Sequence, residues 1–191
     1  MSELLDARLS REERRELLAI ARAAIEAALR KETLSYDAFE VTPEMERRAG
    51  VFVTLRDGGD LRGCIGVLEP GEPLYRAVAS AGVSSALGDP RFPAVTAAEL
   101  RRLSLEISVL SPFEPVASVD EIVVGRHGLV ARAGHRAGLL LPQVPTEFGW
   151  TREEYLDHLC LKAGLPPGQW RDGTVRFEKF TADVFSEESE N

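Results

Sequence analysis

The sequence predicts an α+β fold, because its strand patterns come in runs joined by hairpins and its helical patterns are interspersed irregularly. The chain has 191 residues, of which 44% are hydrophobic and 28% charged, a composition typical of a folded domain. This length can bury a core without disulfides or a metal. We therefore expect residues 1–191 to form a single domain, either one compact unit or a larger and a smaller lobe. The segment 34–50 is the best candidate for a boundary.

The first element is an amphipathic helix that ends near Lys31. Ser10 and Glu13 have the spacing of a capping box, and apolar residues recur at helical spacing after them. Its polar side carries Arg11, Arg15, Arg22 and Glu26, which we interpret as a solvated face.

A β-hairpin follows over residues 51–67, with turn chemistry at Asp57-Gly58-Gly59. Pro73 precedes an Ala/Ser/Val-rich helix that runs to about Leu87, and Thr96 with Glu99 predicts a short capped helix. Residues 103–110 alternate between apolar and polar, which is typical of a half-buried strand.

The second half of the chain reads as short strands around one helix. We expect strands at residues 122–124, 129–131 and 138–141, a helix over 151–163 capped by Thr151 and Glu154, and a last strand at 175–180. Residues 184–185 extend this strand pattern. The acidic residues 186–191 predict a frayed tail.

The net charge, the apolar runs and the cysteine count indicate which classes of protein the sequence does not fit. The chain carries 23 Lys and Arg against 31 Asp and Glu, a net charge of −8 that argues against a nucleic-acid partner. The first ten residues are polar and lack the apolar core of a signal peptide, and no apolar run approaches the roughly 20 residues of a membrane span. With only two isolated cysteines, Cys64 and Cys160, a cytoplasmic protein without membrane attachment is the prediction.

The most unusual segment is Leu61-Arg62-Gly63-Cys64-Ile65-Gly66. Alternation on a strand places Arg62, Cys64 and Gly66 on one face and turns Leu61, Ile65 and Val67 to the core. A guanidinium beside the thiol would favour the thiolate, and Gly63 and Gly66 would admit a ligand close to the backbone. The alternative is that Cys64 is a small buried hydrophobe and that the glycines make room for a packed helix.

Other candidate site residues lie in loops. His127 could act as a general base toward Cys64 if the fold brought the two together, although a surface histidine in a glycine turn is the plainer interpretation. Arg91 and Gln143 are presented by proline-stiffened loops, which either hold a group ready for a ligand or serve as rigid connections.

Metal and cofactor signatures are lacking. The sequence has no CxxC, HExxH or calcium-loop pattern, and its glycines form neither a dinucleotide fingerprint nor a phosphate-binding loop. We therefore predict neither a metal nor a cofactor.

Several segments together resemble one known family. They are Leu61-Arg62-Gly63-Cys64-Ile65-Gly66, Asp89-Pro90-Arg91-Phe92, Glu106-Ile107-Ser108-Val109, Gly125-Arg126-His127-Gly128 and Leu141-Pro142-Gln143-Val144. In this order they resemble the AMMECR domain family, whose bacterial and archaeal members are called AmmeMemoRadiSam system protein A. The resemblance covers nearly the whole chain. It implies a larger lobe with an antiparallel sheet flanked by helices and a smaller α+β lobe forming a cleft, near which the Cys64 segment lies.

The resemblance leaves the activity open and implies two hypotheses. In the first, the protein is a cysteine-dependent enzyme or enzyme component acting on a small anionic substrate. Cys64 is then the nucleophile, His127 the base, and Arg62, Gly63, Gly66, Arg91 and Gln143 bind the substrate. In the second, it is a non-catalytic adaptor that docks on a Memo-like protein or a radical SAM enzyme, both of which are associated with prokaryotic members.

Overall fold

The computed structural model describes residues 9–69 and 71–190. Most of the polar N-terminus, on which the absence of a signal peptide was argued, therefore lies outside the described residues. The chain divides into two compact units. The first unit comprises Met1–Leu110 and Asp183–Asn191, and the second comprises Ser111–Ala182.

The described residues form helices and strands in irregular order. The helices are α1 Arg11–Leu29, α2 Pro43–Glu46, α3 Leu74–Leu87, α4 Ala97–Leu100, α5 Gln143–Glu147, α6 Arg152–Lys162 and α7 Glu187–Glu190. The strands are β1 Val51–Asp57, β2 Asp60–Val67, β3 Ser104–Leu110, β4 Glu114–Pro115, β5 Gly128–Ala133, β6 Arg136–Leu140, β7 Arg176–Phe180 and β8 Ala182–Ser186. The predicted α+β class is confirmed, since two antiparallel sheets are combined with these helices.

The first unit is a sheet of strand order β2-β1-β3-β8 that packs against α1 and α3. Burial alternates as the sequence predicts in the first half of β3, where Leu105 and Ile107 lie fully inside the core. The second half differs from the prediction, because residues 107–110 are all buried, Ser108 among them. They meet buried residues of the two long helices, among them Leu17, Ile20, Ile25, Leu74 and Val78. Burial of such side chains stabilises the fold by about 1.5–3 kcal/mol each. No strand of the described residues pairs with the outer side of β2, which is therefore an edge strand of this sheet.

The C-terminal segment differs from the predicted frayed tail. Residues 187–190 form α7, and Arg22 of α1 pairs with Glu187 through two charge-assisted hydrogen bonds. Glu190 is buried, and its carbonyl oxygen accepts hydrogen bonds from Arg11 and Arg15. The arginines predicted to form a solvated face of α1 therefore hold the C-terminal helix. The acidic composition of the tail predicted fraying because the arginines that bind it lie at the other end of the sequence.

The second unit is a sheet of strand order β4-β7-β5-β6 with its own core. The helix α6 contributes Tyr155, Leu156, Leu159 and Cys160, all fully buried. The Tyr155 hydroxyl lies 3.2 Å from the carbonyl oxygens of both His127 and Leu140. Burial raises the pKa of this phenol and keeps it neutral. Helix α6 is thereby fixed to the ends of β5 and β6.

Two predictions for the second unit are wrong in detail. Residues 122–124 form no strand, because a 3₁₀ turn at Val119–Glu121 and the left-handed conformation of Gly125 break any extended run. The segment after Pro142 forms the short helix α5 rather than a loop. Proline is compatible with the first turn of a helix, so its presence in a short segment does not exclude one.

Within the described part of the chain, no helix combines the length and the apolar character needed to cross a membrane.

Candidate functional site

Cys64 lies in the middle of the edge strand β2, directly opposite Thr54 of β1. The hydroxyl of Thr54 donates a hydrogen bond of 3.3 Å to Sγ of Cys64. The backbone N–H and C=O of Cys64 are bonded on the outer side of β2, as expected for a non-hydrogen-bonded pair in an antiparallel ladder. Such pairs bring their side chains close together, so the register itself accounts for the contact between hydroxyl and sulfur.

The loop after α3 covers the outward backbone groups of Cys64. The Asp89 carboxylate accepts a hydrogen bond of 2.9 Å from the N–H of Cys64, and Nη2 of Arg91 donates one of 3.1 Å to its carbonyl oxygen. Asp89 also binds Arg91 in a two-pronged pair, with distances of 2.9 Å from Nε and 2.7 Å from Nη2. The Asp89 side chain is 2% exposed, whereas that of Arg91 is 53% exposed. A buried carboxylate thus holds a solvent-accessible cation at the cysteine.

Electrostatics agree with this arrangement. The hydrogen bonds from Arg91 hold the pKa of Asp89 well below its usual range, and the backbone N–H groups of Cys64 and Arg91 add to the effect. The pKa of Arg91 is raised, mainly by its hydrogen bonds to Asp89 and in smaller part by the negative charge of an ionised Cys64. Asp89 and Arg91 are therefore charged throughout the physiological range.

Arg62 occupies a different position from the one expected for a partner of the thiol. Its Nε binds the carboxylate of Glu99 at 2.6 Å, and Nη2 donates to the carbonyl oxygen of Pro93 at 2.8 Å. Its remaining nitrogen, Nη1, is buried without a hydrogen-bond partner. The guanidinium that contacts Cys64 is that of Arg91, and both guanidinium groups flank the ring of Phe92, at 5.7 Å for Arg62 and 5.5 Å for Arg91.

The two glycines of the segment lie against protein atoms. A methyl group added at Gly63 would lie 2.3 Å from the carbonyl oxygen of Ser85 in α3, and one added at Gly66 would lie 2.5 Å from the ring of Phe52. Close approach of backbone and side chains is thus sufficient to require glycine at both positions. The hydroxyl of Ser85 also links β1 and β2, since it donates to the carbonyl of Val53 and accepts from the N–H of Ile65.

The apolar side chains at the two ends of β2 are exposed rather than in the core. Leu61 is 40% and Val67 43% exposed, although alternation predicts that both point inward. An edge strand has a neighbouring strand on one side only, so the side chains at its ends are less buried than those of a central strand.

The row of Cys64 and Thr54 continues onto β3, where Glu106 is paired with Thr54. The carboxylate of Glu106 lies 3.6 Å from Nη2 of Arg56, which is two residues from Thr54 on the same face of β1. This face of the sheet therefore carries a thiol, a hydroxyl and an ion pair in adjacent positions.

His127 and Gln143 belong to the second unit, where they lie just before β5 and at the start of α5. Nδ1 of His127 accepts a hydrogen bond of 3.1 Å from the N–H of Val123. Burial lowers the pKa of His127, and the positive charges of Lys179 and Arg126 lower it further. The imidazole is consequently neutral at pH 7, the form that can accept a proton. Cys64, Arg62, Gly63, Gly66 and Arg91 all belong to the first unit.

Among the described residues, no group of three or more His, Cys, Asp or Glu side chains is arranged to hold a metal ion.

Comparison with known proteins identifies the family. The model of the AMMECR1 family matches residues 18–185. The chain belongs to the AMMECR1 family. It is 46% identical over 186 residues to a protein of Methanothermobacter thermautotrophicus, with 94% of this chain and 97% of that protein covered. It is 47% identical over 156 residues to Protein MK0488 of Methanopyrus kandleri, with 77% and 75% covered.

A solved structure in the AMMECR1 family has the same fold. The crystal structure of the uncharacterized protein PH0010 from Pyrococcus horikoshii matches with a TM-score of 0.83 at 43% identity, and the match covers 91% of each chain. The resemblance inferred from the sequence segments is therefore confirmed, and so is the fold class.

Sequence reasoning missed two residues of this AMMECR1-family site. Neither residue stands out in the sequence, since Asp89 belongs to the segment that contains Arg91 and Thr54 lies inside the predicted hairpin 51–67. A signal for Thr54 does exist, since it is the one hydroxyl among Val51-Phe52-Val53-Thr54-Leu55 and shares the face that β2 gives to Cys64.

Proposed function

We propose that the protein is a cysteine-dependent enzyme, or a component of one, acting on a small anionic substrate at the segment 61–66. The observation that carries the proposal is the position of Arg91. Its guanidinium is half exposed, contacts the backbone of Cys64, and is held there by the buried carboxylate of Asp89. A neutral donor would be enough to satisfy the outward carbonyl oxygen of Cys64, so protection of the edge strand alone does not explain a half-exposed cation at this position.

Arg91 has the capacity to bind an anion. Its Nε and Nη2 are occupied by Asp89 and Cys64, whereas Nη1 has no partner among the described residues. The free Nη1 group can donate hydrogen bonds to a carboxylate or phosphate, and fixing the guanidinium in advance lowers the entropic cost of binding. In this proposal Cys64 forms a bond to an electrophilic carbon of the substrate, whose anionic group lies on Arg91.

The remaining roles follow from the same proposal. Arg62, with Nη1 unused, and Gln143 are further candidates for binding the substrate. Gly63 and Gly66 shape the backbone beside Cys64. His127, neutral at pH 7, has the chemistry of a general base. The reaction needs no metal or cofactor in this scheme, and the cytoplasm is the compartment in which a free thiol is kept reduced.

An adaptor function is the second candidate, and the exposed ends of β2 favour it. Leu61 and Val67 present apolar surface on an edge strand, which is the kind of feature that protein partners cover. A Memo-like protein or a radical SAM enzyme is the partner we propose for that case.

Alkylation of Cys64 with two reagents tests the enzyme proposal. Iodoacetate carries the negative charge that Arg91 should attract, whereas iodoacetamide is neutral, so their rate ratio reports the anion site. We expect folded protein to favour iodoacetate relative to the unfolded chain, and Arg91→Gln to abolish that preference. Arg102→Gln is the matched control, because Arg102 is also an exposed arginine of the first unit paired with an aspartate. Peptide mapping separates Cys64 from the buried Cys160.

Two results would contradict the enzyme proposal. An unchanged rate ratio in Arg91→Gln would show that Arg91 does not attract the anionic reagent. A Cys64 that resists both reagents until the protein unfolds would show a packing role. Co-purification with candidate partners, compared between wild type and Leu61→Ser, would then test the adaptor.

A further inference from the structure

Thr54 is a buried hydroxyl with one polar partner. Its side chain belongs to a residue that is 7% exposed, and the hydrogen bond to Sγ of Cys64 is the contact that satisfies it in the described structure. Buried hydroxyl groups are nearly always hydrogen-bonded, and leaving one unsatisfied is costly. Valine has nearly the same shape and suits a buried strand at least as well. Packing alone therefore gives no reason for a hydroxyl at this position.

We infer that Thr54 is the hydrogen-bond donor that orients and stabilises the reacting sulfur of Cys64. This inference rests on the proposed function, since it assigns a role toward the same nucleophile. Cys64 first loses its thiol proton to water, and the O–H of Thr54 remains intact and donates to the resulting thiolate. As the sulfur attacks, its electron pair forms the bond to the substrate carbon, and the leaving group departs with the electrons of the bond that breaks.

Thr54 and Arg91 contact Cys64 from opposite sides of β2. Thr54 reaches the sulfur from β1, within the sheet, whereas Arg91 approaches from the loop outside β2. The sulfur thus receives a hydrogen bond from a neutral donor, while a cation is held at the backbone carbonyl oxygen of the same residue. Charged groups near the pair, which also affect its response to pH, are Asp89 and Arg91 of the loop, Arg62 of β2 with Glu99 of α4, Arg56 of β1 and Glu106 of β3.

Substitution of Thr54 provides the test. The rate of Cys64 alkylation by iodoacetamide is measured from about pH 5.5 to about pH 9.5 in wild type, Thr54→Val and Thr54→Ser. We expect Thr54→Val to lower the rate at pH 7 about tenfold, the effect of losing one hydrogen bond to a charged group, and to move the profile to higher pH. Thr54→Ser retains the hydroxyl and should restore most of the rate. Thr181→Val makes the same change at an exposed side chain and should leave the profile unchanged.

The outcomes separate the two claims. If folded wild type reacts but Thr54→Val has the same pH profile, the role of Thr54 is refuted and the proposed function stands. If Thr54→Val changes only the free energy of unfolding in urea, measured in parallel, Thr54 is a packing residue. If folded wild-type Cys64 is inert to both alkylating reagents, the proposed function fails and the role of Thr54 fails with it.

Discussion

Replacing Asp89 with asparagine should remove the support on which both Cys64 and Arg91 depend. The carboxylate accepts four hydrogen bonds: two from the guanidinium of Arg91, one from the backbone N–H of Arg91 and one from the backbone N–H of Cys64. Asparagine retains one acceptor oxygen and places an N–H₂ group toward donors. At least one buried N–H then loses its partner, and the charge of Arg91 loses its counterion.

The magnitude follows from these contacts. Removing one partner of a buried ion pair costs about 3–5 kcal/mol, and hydrogen bonds to a charged group contribute about 1.5–3 kcal/mol each. Arg91 is 53% exposed, so water compensates part of its loss and the lower end applies. We expect Asp89→Asn to lower the free energy of unfolding by about 3 kcal/mol, measured by urea denaturation at pH 7. Asp57→Asn, at an exposed ion pair with Arg102, should remain close to wild type.

The pH dependence provides a second check on Asp89. Its pKa is lowered in the folded protein from the ordinary value of 3.8, so its contribution is fully present above that value and is lost as the pH falls through the folded pKa. The difference in stability between wild type and Asp89→Asn should therefore stay constant from about pH 7 down to about pH 4, which is close to the ordinary pKa of a carboxyl group. It should become smaller only below about pH 4. The reasoning would be refuted if Asp89→Asn were as stable as Asp57→Asn. It would also be refuted if the difference in stability between wild type and Asp89→Asn had already disappeared at about pH 5.

Two further substitutions test the packing of the first unit. Gly63→Ala should lower the free energy of unfolding by about 1–3 kcal/mol, because its methyl group would meet the backbone of α3, whereas Gly71→Ala has open space and should be neutral; equal stability of the two variants would contradict the packing role. Glu187→Gln should cost about 1–3 kcal/mol in urea denaturation and speed proteolysis of the C-terminal segment, because it weakens the pair with Arg22. Glu188→Gln, at an exposed neighbour, should do neither, and a Glu187 variant that behaves like it would show that α7 is held by other contacts.

Local chemistry in the sequence was enough to predict most elements of the fold. Capping boxes begin α1, α4 and α6 at Ser10, Thr96 and Thr151, each with the expected glutamate three residues later. The hairpin turns at Gly58 and Gly59, both of which have positive φ. These signals act over a few residues, so they can be recognised without the rest of the molecule.

The contacts of the candidate site could not be predicted in the same way. Strand alternation correctly placed Cys64 on the face opposite to Gly63, but it named Arg62 as the cation beside the thiol. The distant Glu99 and Pro93 take that guanidinium, and Arg91, 27 residues beyond Cys64, takes its place. Which of two arginines reaches a given residue depends on where a loop returns to the sheet, and no local pattern in the sequence contains that information.

The register of the β1–β2 hairpin connects the stability of the fold with the chemistry of the site. Pairing Cys64 with Thr54 as a non-hydrogen-bonded pair turns the backbone groups of Cys64 outward, where an edge strand would otherwise leave them unpaired. Asp89 and Arg91 satisfy those groups, and in doing so they place a cation beside the thiol. The same register brings the hydroxyl of Thr54 to the sulfur. A shift of one residue would turn Cys64 to the opposite face and remove both contacts together, so the site depends on the pairing that protects the edge.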